Sequence, residues 1–390
     1  MRLIIKICVL SCLVSIVSAQ ESSLQFNTNM GLFNSSINEP LLAQSYGFLD
    51  DIEKANIIDA LQSENYIQFE LDNQLKYQHK NGWSLALSNH AGLYAKYSKS
   101  LIELSLLGNT PFKGDSLQLA PLGLTAFHYS QIKASFQWDP HFSTSLSFIG
   151  GHQLATLQVE NAMFYTEKSG ANIAYGLEFE AHYSDTTDLL DNPFEWNGMG
   201  AALGFTFNDS IANGIYEISI QDIGFIKWNE STSNRYVDSQ WSFDGVNVDD
   251  FIEFNDSIIN NDVDSIKDLL NRETQDHYTW RLPTTINIST LQNINSNFVN
   301  AIQLSLTHKL TIYDLPRVTL EVIKNLKKHE FRLGYHTGGF ERQGFQFGYA
   351  YKGKKTSIQL FTKQANSIIP SQNYGLHIGI GLKRVFSNSK

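Results

Sequence analysis

The sequence predicts an all-β protein, a transmembrane antiparallel β-barrel of about 14 strands (12 to 16) with short helical plug or loop segments. Three observations carry this. Apolar and polar residues alternate with period two in segment after segment along the chain. Beyond the first twenty residues no apolar run approaches the roughly 18–20 residues that a membrane helix needs. Both cysteines, Cys8 and Cys12, sit at the extreme N-terminus, so nothing downstream can be stapled by a disulfide.

In chain order, residues 1–19 read as a secretory signal peptide. Arg2 and Lys6 form its positive region, Leu10 to Val17 its apolar stretch, and Val17-Ser18-Ala19 a small-residue cleavage site before Gln20. Residues 20–390 then form a single outer-membrane barrel domain. Removing Arg2 and Lys6 from the 29 basic residues leaves 27 against 39 acidic ones, a net charge of −12. An acidic chain of this kind is not a general nucleic-acid binder.

The clearest strand is Tyr66 to Gln78. Ile67, Phe69, Leu71, Leu75 and Tyr77 are apolar, with Asn73 the exception, while Gln68, Glu70, Asp72, Gln74, Lys76 and Gln78 are polar. The turn His79-Lys80-Asn81-Gly82 follows, its Asn-Gly step suited to the positive φ angles of a tight hairpin, and Trp83, Leu85 and Leu87 start the next strand. A second hairpin joins Glu330–Thr337 to Gly344–Lys352, with Phe331, Leu333 and Tyr335 on one face and Phe345, Phe347, Tyr349 and Tyr351 following. The final strand, Tyr374 to Phe386, ends on an aromatic four residues from the C-terminus. Further strands are expected at Leu24–Met30, Leu124–Trp138, Phe142–Val159, Ile173–Tyr183, Trp196–Phe207, Ile215–Trp228, Leu282–Leu291, Val299–Leu310, Val318–Leu326 and Ser357–Lys363.

Three segments do not alternate. Phe48–Leu61 and Tyr97–Leu107 space their apolar residues as short helices would, near the N-terminal side of the barrel or inside it. The stretch at about 229–280 reads as one long, acidic, partly helical loop, with eleven acidic residues between Asp238 and Asp276 against Lys267 and Arg272. Trp83, Trp138, Trp196, Trp228 and Trp280 fall at strand ends and are expected in the two interfacial aromatic girdles.

The chemistry of an enzyme is not in evidence: the sequence nominates no catalytic, cofactor-binding or metal-binding residue. His141 and Ser143 share a strand face, but any i, i+2 pair does, and no orienting third residue is identifiable. Gly348 to Lys355 imitates a phosphate loop yet lacks the Ser or Thr after Lys355 and falls in a hairpin. Asp249, Asp250 and Glu253 could hold calcium, although an acidic stretch is more often a solvated surface.

One block is recognisable: Gly198-Met199-Gly200-Ala201-Ala202-Leu203-Gly204-Phe205-Thr206-Phe207, then Ser219-Ile220-Gln221-Asp222-Ile223-Gly224-Phe225-Ile226-Lys227-Trp228. It resembles an uncharacterised family of Bacteroidota-type outer-membrane barrels, related in style to fatty-acid-transporter-like barrels and to barrels of type IX secretion and gliding motility. The resemblance implies a barrel in the cell outer membrane and no catalytic or ligand-binding residue. Physically, Gly198, Gly200 and Gly204 share a face on which a plug or neighbouring backbone could approach. Asp222 and Gly224 read as a bulge or bend. The tasks that fit are transport of a small or hydrophobic solute, or service as a membrane partner in surface-protein export. The expected partners are therefore outer-membrane lipid with either a hydrophobic small molecule or an export-machinery protein. The alternative is a structural or adhesive surface protein acting through its acidic loop.

Overall fold

The computed structural model describes residues 21–37, 49–184, 195–211, 213–243, 273–294, 296–312, 316–339, 343–368 and 374–386. The leader and Asp249, Asp250 and Glu253 lie outside them. The described residues contain nineteen strands in one antiparallel sheet, fourteen of which close into a barrel. The barrel strands are β1 (Ser22–Asn34), β2 (Glu64–Gln78), β3 (Trp83–Ser98), β5 (Leu122–Gln137), β6 (Phe142–Thr166), β8 (Gly198–Ile211) and β9 (Gly214–Trp228), followed by β13 (Thr285–Asn293), β14 (Ala301–Lys309), β15 (Arg317–Leu326), β16 (His329–Thr337), β17 (Gln343–Lys352), β18 (Thr356–Thr362) and β19 (Gly375–Phe386). The others are β4 (Ser116–Gln118), β7 (Ile173–Tyr183), β10 (Ser233–Phe243), β11 (Glu273–Gln275) and β12 (Thr279–Arg281). Closure is made by β1, which pairs with β2 on one edge and with β19 on the other, from Ser22 opposite Phe386 to Phe33 opposite Gly375. A closed ladder satisfies its backbone groups without water, the requirement for crossing a bilayer with strands.

Alternation decides which face is which. Leu24, Phe26, Met30 and Leu32 of β1, Leu85 and Leu87 of β3, Leu320 of β15, Leu333 of β16, Phe345 and Phe347 of β17 and Leu376, Ile378 and Leu382 of β19 all point outward and are exposed. Their neighbours in sequence point inward and are polar or small: Gln25 and Asn27, Ser84 and Ser88, Thr319 and Glu321, Arg332, Gln346, His377 and Gly381. Such a greasy outside around a wet inside suits lipid rather than water. The two ends also differ. The chain enters at Ser22 and leaves at Phe386 on the same end, where connections such as 79–82, 138–141, 327–328 and 353–355 are short. The opposite end carries the long connections, including 35–63, 99–121 and 363–374.

The two expected helices exist, at the long-loop end, as α1 (Asp51–Ala60) and α2 (Lys99–Leu107). α1 starts with a reciprocal cap: the Asp50 carboxylate accepts the Glu53 N–H at 2.8 Å and the Glu53 carboxylate accepts the Asp50 N–H at 3.0 Å. Ser98 caps α2 by accepting from the Leu101 N–H at 3.2 Å.

Two departures from the expected pattern shape everything above the middle of the barrel. The stretch at about 229–280 is not simply a loop, because its described parts form β10, β11 and β12. β6 is 25 residues long: its first half pairs with β8, and its second half, from Ala155, pairs with β7. β7 pairs with β10 along its whole length and β10 with β11, so the same sheet continues the wall past the ends of β8 and β9. The charge count of this stretch hid the alternation of Tyr236, Val237, Asp238, Ser239, Gln240 and Trp241.

The second departure concerns Trp228 and Trp280, which are not girdle residues; they are 0% and 7% exposed. The register between β8 and β9 shifts between Leu203 and Phe205, and Asp222 adopts φ +61°. One extra residue in a strand reverses the facing of all that follow. Ile218 and Ile220 therefore face outward, whereas Ile226 and Trp228 face inward. Trp83, Trp138 and Trp196, at 41%, 44% and 57% exposure, remain on the outside. The glycines behave as expected of this turn inward: a Cβ on Gly200 would lie 2.0 Å from the Phe225 carbonyl oxygen and one on Gly224 2.1 Å from that of Ala201.

Candidate functional site

The inward face of the upper barrel is closed by two sets of contacts. The first is aromatic and apolar: Tyr129, Ile149, Leu154, Ala202, Ile226, Trp228, Trp280 and Leu282 form a buried cluster, with Phe127 and Tyr278 packed against it. Phe127 links this cluster to Tyr94, with ring centroids 5.0 Å from Trp280 and 6.0 Å from Tyr94. The second is ionic. Lys309 on β14 donates to the Glu70 carboxylate on β2, which also accepts from the Tyr94 hydroxyl. Around the ring, six strands separate β2 from β14 in either direction. The pair therefore spans the lumen from wall to opposite wall.

Below this bridge lies a chamber of about 440 Å³ lined by Asn27, Asn29, Glu70, Asp72, His90, Tyr129, Asp222, Lys309 and Phe361 among others. Its polar groups are tied in pairs: His90 Nδ1 lies 2.6 Å from Asp72 Oδ1, and Asp222 Oδ1 accepts from Lys133 at 3.1 Å and from Gln131 at 2.8 Å. Such mutual neutralisation lets carboxylates stay in a confined space.

The wall beside the aromatic cluster is interrupted. β12 ends at Arg281 and β13 begins at Thr285, and Pro283 between them has no N–H to give to a ladder. Across the gap β9 carries its bulge, held by the Leu282 N–H donating to Gly224 O at 3.0 Å and the Thr284 hydroxyl donating to Asp222 O at 3.3 Å. On the other side β14 stops at Lys309, and Leu310 N–H donates to Thr284 O at 2.9 Å. Thr311 then sits at φ +72°, a conformation that a β-branched residue adopts only under constraint. An apolar groove of about 820 Å³ enters this break from the outside, over Leu146, Leu203, Ile223, Phe225 and Leu310. A vestibule of about 390 Å³ lies on the inner side, over Thr125, Thr156, Gln158, His182, Trp280 and Ile312. Groove and vestibule share Thr279, Arg281 and Thr311 as their common wall, and the chamber below touches the same segment at Pro283 and Thr285.

The outer face also holds a polar stripe halfway up its apolar wall. Thr28 donates to Asn73 at 2.7 Å; Asn89 lies 2.8 Å from His128 and donates to Ser130 at 3.2 Å. Ser130 lies 2.9 Å from His152 Nε2, while His152 Nδ1 meets the Glu195 carbonyl at 2.9 Å. These groups satisfy one another, as polar groups facing hydrocarbon must.

Of the residues weighed on sequence grounds, His141 and Ser143 do not form a unit. The His141 ring meets Asn208 O at 3.0 Å and Asp209 at 3.5 Å, in an exposed turn at the terminal end. Gly348–Lys355 runs through β17 and the turn into β18, as a hairpin and not as a phosphate loop. Sequence reasoning missed Glu70, Lys309, Tyr94, Phe127 and the Trp280 segment. Glu70 and Lys309 are 239 residues apart and look like ordinary inward polar positions. Asn73, the polar exception in the apolar row from Ile67 to Tyr77, marks the outer polar stripe instead.

Comparison with solved structures finds barrels of similar length. The toluene transporter TodX of P. putida is 8% identical with a TM-score of 0.42, covering 95% of this chain and 92% of that one. A FadL homologue of Pseudomonas aeruginosa is 8% identical with a TM-score of 0.41, covering 94% and 91%. The translocator domain of the autotransporter NalP from Neisseria meningitidis is 7% identical with a TM-score of 0.33, covering 99% and 96%. Similarities this loose add nothing to the barrel read directly from its strand pairing. No curated protein matches the chain. The model of a family of unknown function, DUF5723, matches residues 141–363, more than half of the 390 and the span holding the long strand β6, the bulge and the wall break. The chain belongs to that family.

Proposed function

We propose that this chain is an outer-membrane β-barrel of the cell envelope, exported through its N-terminal leader, that passes a small hydrophobic solute sideways through the break between β12 and β14. Termini on the short-turn end and long connections on the other support an orientation with the vestibule facing the exterior. The observation that carries the reading is the common wall: the inner vestibule and the outer apolar groove are separated by Thr279, Arg281 and Thr311 alone among their lining residues. A solute arriving in the vestibule meets the aromatic cluster and the Glu70–Lys309 bridge beneath it, so the sideways route avoids both. An apolar molecule gains by moving from a half-wet vestibule to a groove lined by Leu146, Leu203, Ile223 and Phe225, at about 25 cal/mol for each Å² taken from water.

The test is entry of the fluorescent apolar probe N-phenyl-1-naphthylamine into intact cells. Cells carrying the wild type should take it up faster than cells without the protein, and Thr279→Trp, which fills the shared wall, should abolish the difference while leaving a heat-modifiable barrel. Uptake by the filled variant at the wild-type rate would exclude the sideways route.

A second reading, a membrane partner in surface-protein export, draws on the same closed upper lumen, since an export partner needs no open channel. It predicts a stoichiometric protein retained through purification in mild detergent.

A further inference from the structure

The inward faces of the lower barrel carry a feature that solute passage does not use. In the sheet register Lys352 of β17 lies opposite Ser357 of β18, Ser357 opposite Lys383 of β19, Lys383 opposite Gln25 of β1, Gln25 opposite Lys76 of β2, Lys76 opposite Ala86 of β3, and Ala86 opposite Lys133 of β5. Every second strand over seven neighbours thus presents an inward lysine on one register row, and each intervening residue is short or neutral. With neighbouring strands about 4.8 Å apart, successive lysine Cα atoms are roughly 10 Å apart, a gap that two extended side chains close onto one bound group.

The four lysines are not equally satisfied. Lys352 is tied to Glu330, and Lys133 lies 3.1 Å from Asp222. Lys76 and Lys383, the two in the middle, have no carboxylate within ion-pair distance among the described residues. Lys76 stands within electrostatic reach of both Lys133 and Lys383. Two unneutralised ammonium groups flanking a neutral glutamine repel each other, and an anion held between them removes that repulsion. The row immediately above it, Gln359, Gly381, Asn27 and Gln74, belongs to the strands that floor the central chamber, and Gly381 contributes no side chain there. Lys352 and Lys383 are exposed, toward the end where the chain begins and finishes.

We infer that Lys76 and Lys383, flanked by Lys133 and Lys352, form an anion-binding site in the lower lumen, open at the terminal end of the barrel and suited to a carboxylate or a phosphate group. Oxyanions suit it because each ammonium offers three donors and neither central lysine has an acceptor of its own among the described residues. The solute of the sideways route need not carry a charge, so this site stands or falls independently of that route.

Titration calorimetry of the refolded wild type in non-ionic detergent tests it with two probes, inorganic phosphate and hexanoate. Saturable binding of at least one probe is expected, weakening as salt is raised. Tighter binding of phosphate would identify the ligand as a free anion, and tighter binding of hexanoate as an anionic amphiphile. Lys76→Gln with Lys383→Gln should weaken binding about tenfold or more, Lys76→Arg with Lys383→Arg should retain it, and Lys54→Gln on α1 should change nothing. Heat-modifiable mobility of each variant establishes that its barrel is intact. Absence of saturable binding with both probes, or undiminished affinity in the double glutamine variant, would overturn the assignment.

Discussion

Single residues already set local tolerances that can be measured. Thr311 at φ +72° pays a steric penalty that glycine does not, so Thr311→Gly should raise stability by about 1 kcal/mol, read as a shift in the urea midpoint of the refolded barrel. The same change thins the wall shared by groove and vestibule and should speed entry of the apolar probe. Glu273, on the strand extension beyond the barrel, behaves differently. Its carboxylate accepts from Ser233, from Tyr183 at 2.7 Å and from Arg235 at 2.5 Å, and these hydrogen bonds hold its pKa down to about 2 from a usual value near 4.5. A lowered folded-state pKa stabilises fully above the unfolded value and progressively less as pH falls toward 2. Amides of β10 and β11 should therefore exchange faster at about pH 3 than their intrinsic rates explain, relative to about pH 6, and Glu273→Gln should remove the difference. No such acceleration in the wild type would mean that the cluster does not hold the extension.

At the scale of elements, the bulge in β9 is the feature on which the upper barrel depends. It turns Ile226 and Trp228 into the lumen, and the close approach of β8 and β9 beside it requires glycine at 200 and 224. Gly224→Val sets a side chain against the Ala201 carbonyl and should cost several kcal/mol, with loss of the heat-modifiable form as the readout. Serine at the same position would be less disruptive, but not neutral. The strands themselves were legible because a barrel wall between lipid and a wet lumen enforces strict alternation: β7 was expected at its observed limits, the expected bounds of β2 and β9 differ from the observed ones by two residues at most, and β3 starts at Trp83 as expected. The bulge was legible from Asp222 and Gly224, yet its consequence for Trp228 was not, since an inverted register leaves no mark in composition. β10 went unread for another reason: its pairing with β7 is made by two segments fifty residues apart, and the acidic residues around it dominate the local count.

For the molecule as a whole, the sequence displayed a polar interior but not its closure. That depends on which inward residues meet across the lumen, and Glu70 and Lys309 meet because β2 and β14 are opposite members of a ring of fourteen. Removing one partner leaves the other charge confined without its counterpart, at a cost of roughly 3 kcal/mol. Lys309→Met should lower the denaturation midpoint accordingly, and the double variant Glu70→Gln with Lys309→Met should recover part of the loss, as a double-mutant cycle in urea would reveal. Closure above, a break at the side and an apolar exterior together fit the proposed passage of solute through the wall and not along the axis.

Single-channel conductance of the refolded wild-type protein in a planar bilayer distinguishes a closed lumen from an open aqueous pore. The folded, inserted protein should show no reproducible open steps, because the Glu70–Lys309 bridge and the Phe127–Trp280 cluster span the lumen. Regular steps of an open aqueous pore in the wild type would contradict it.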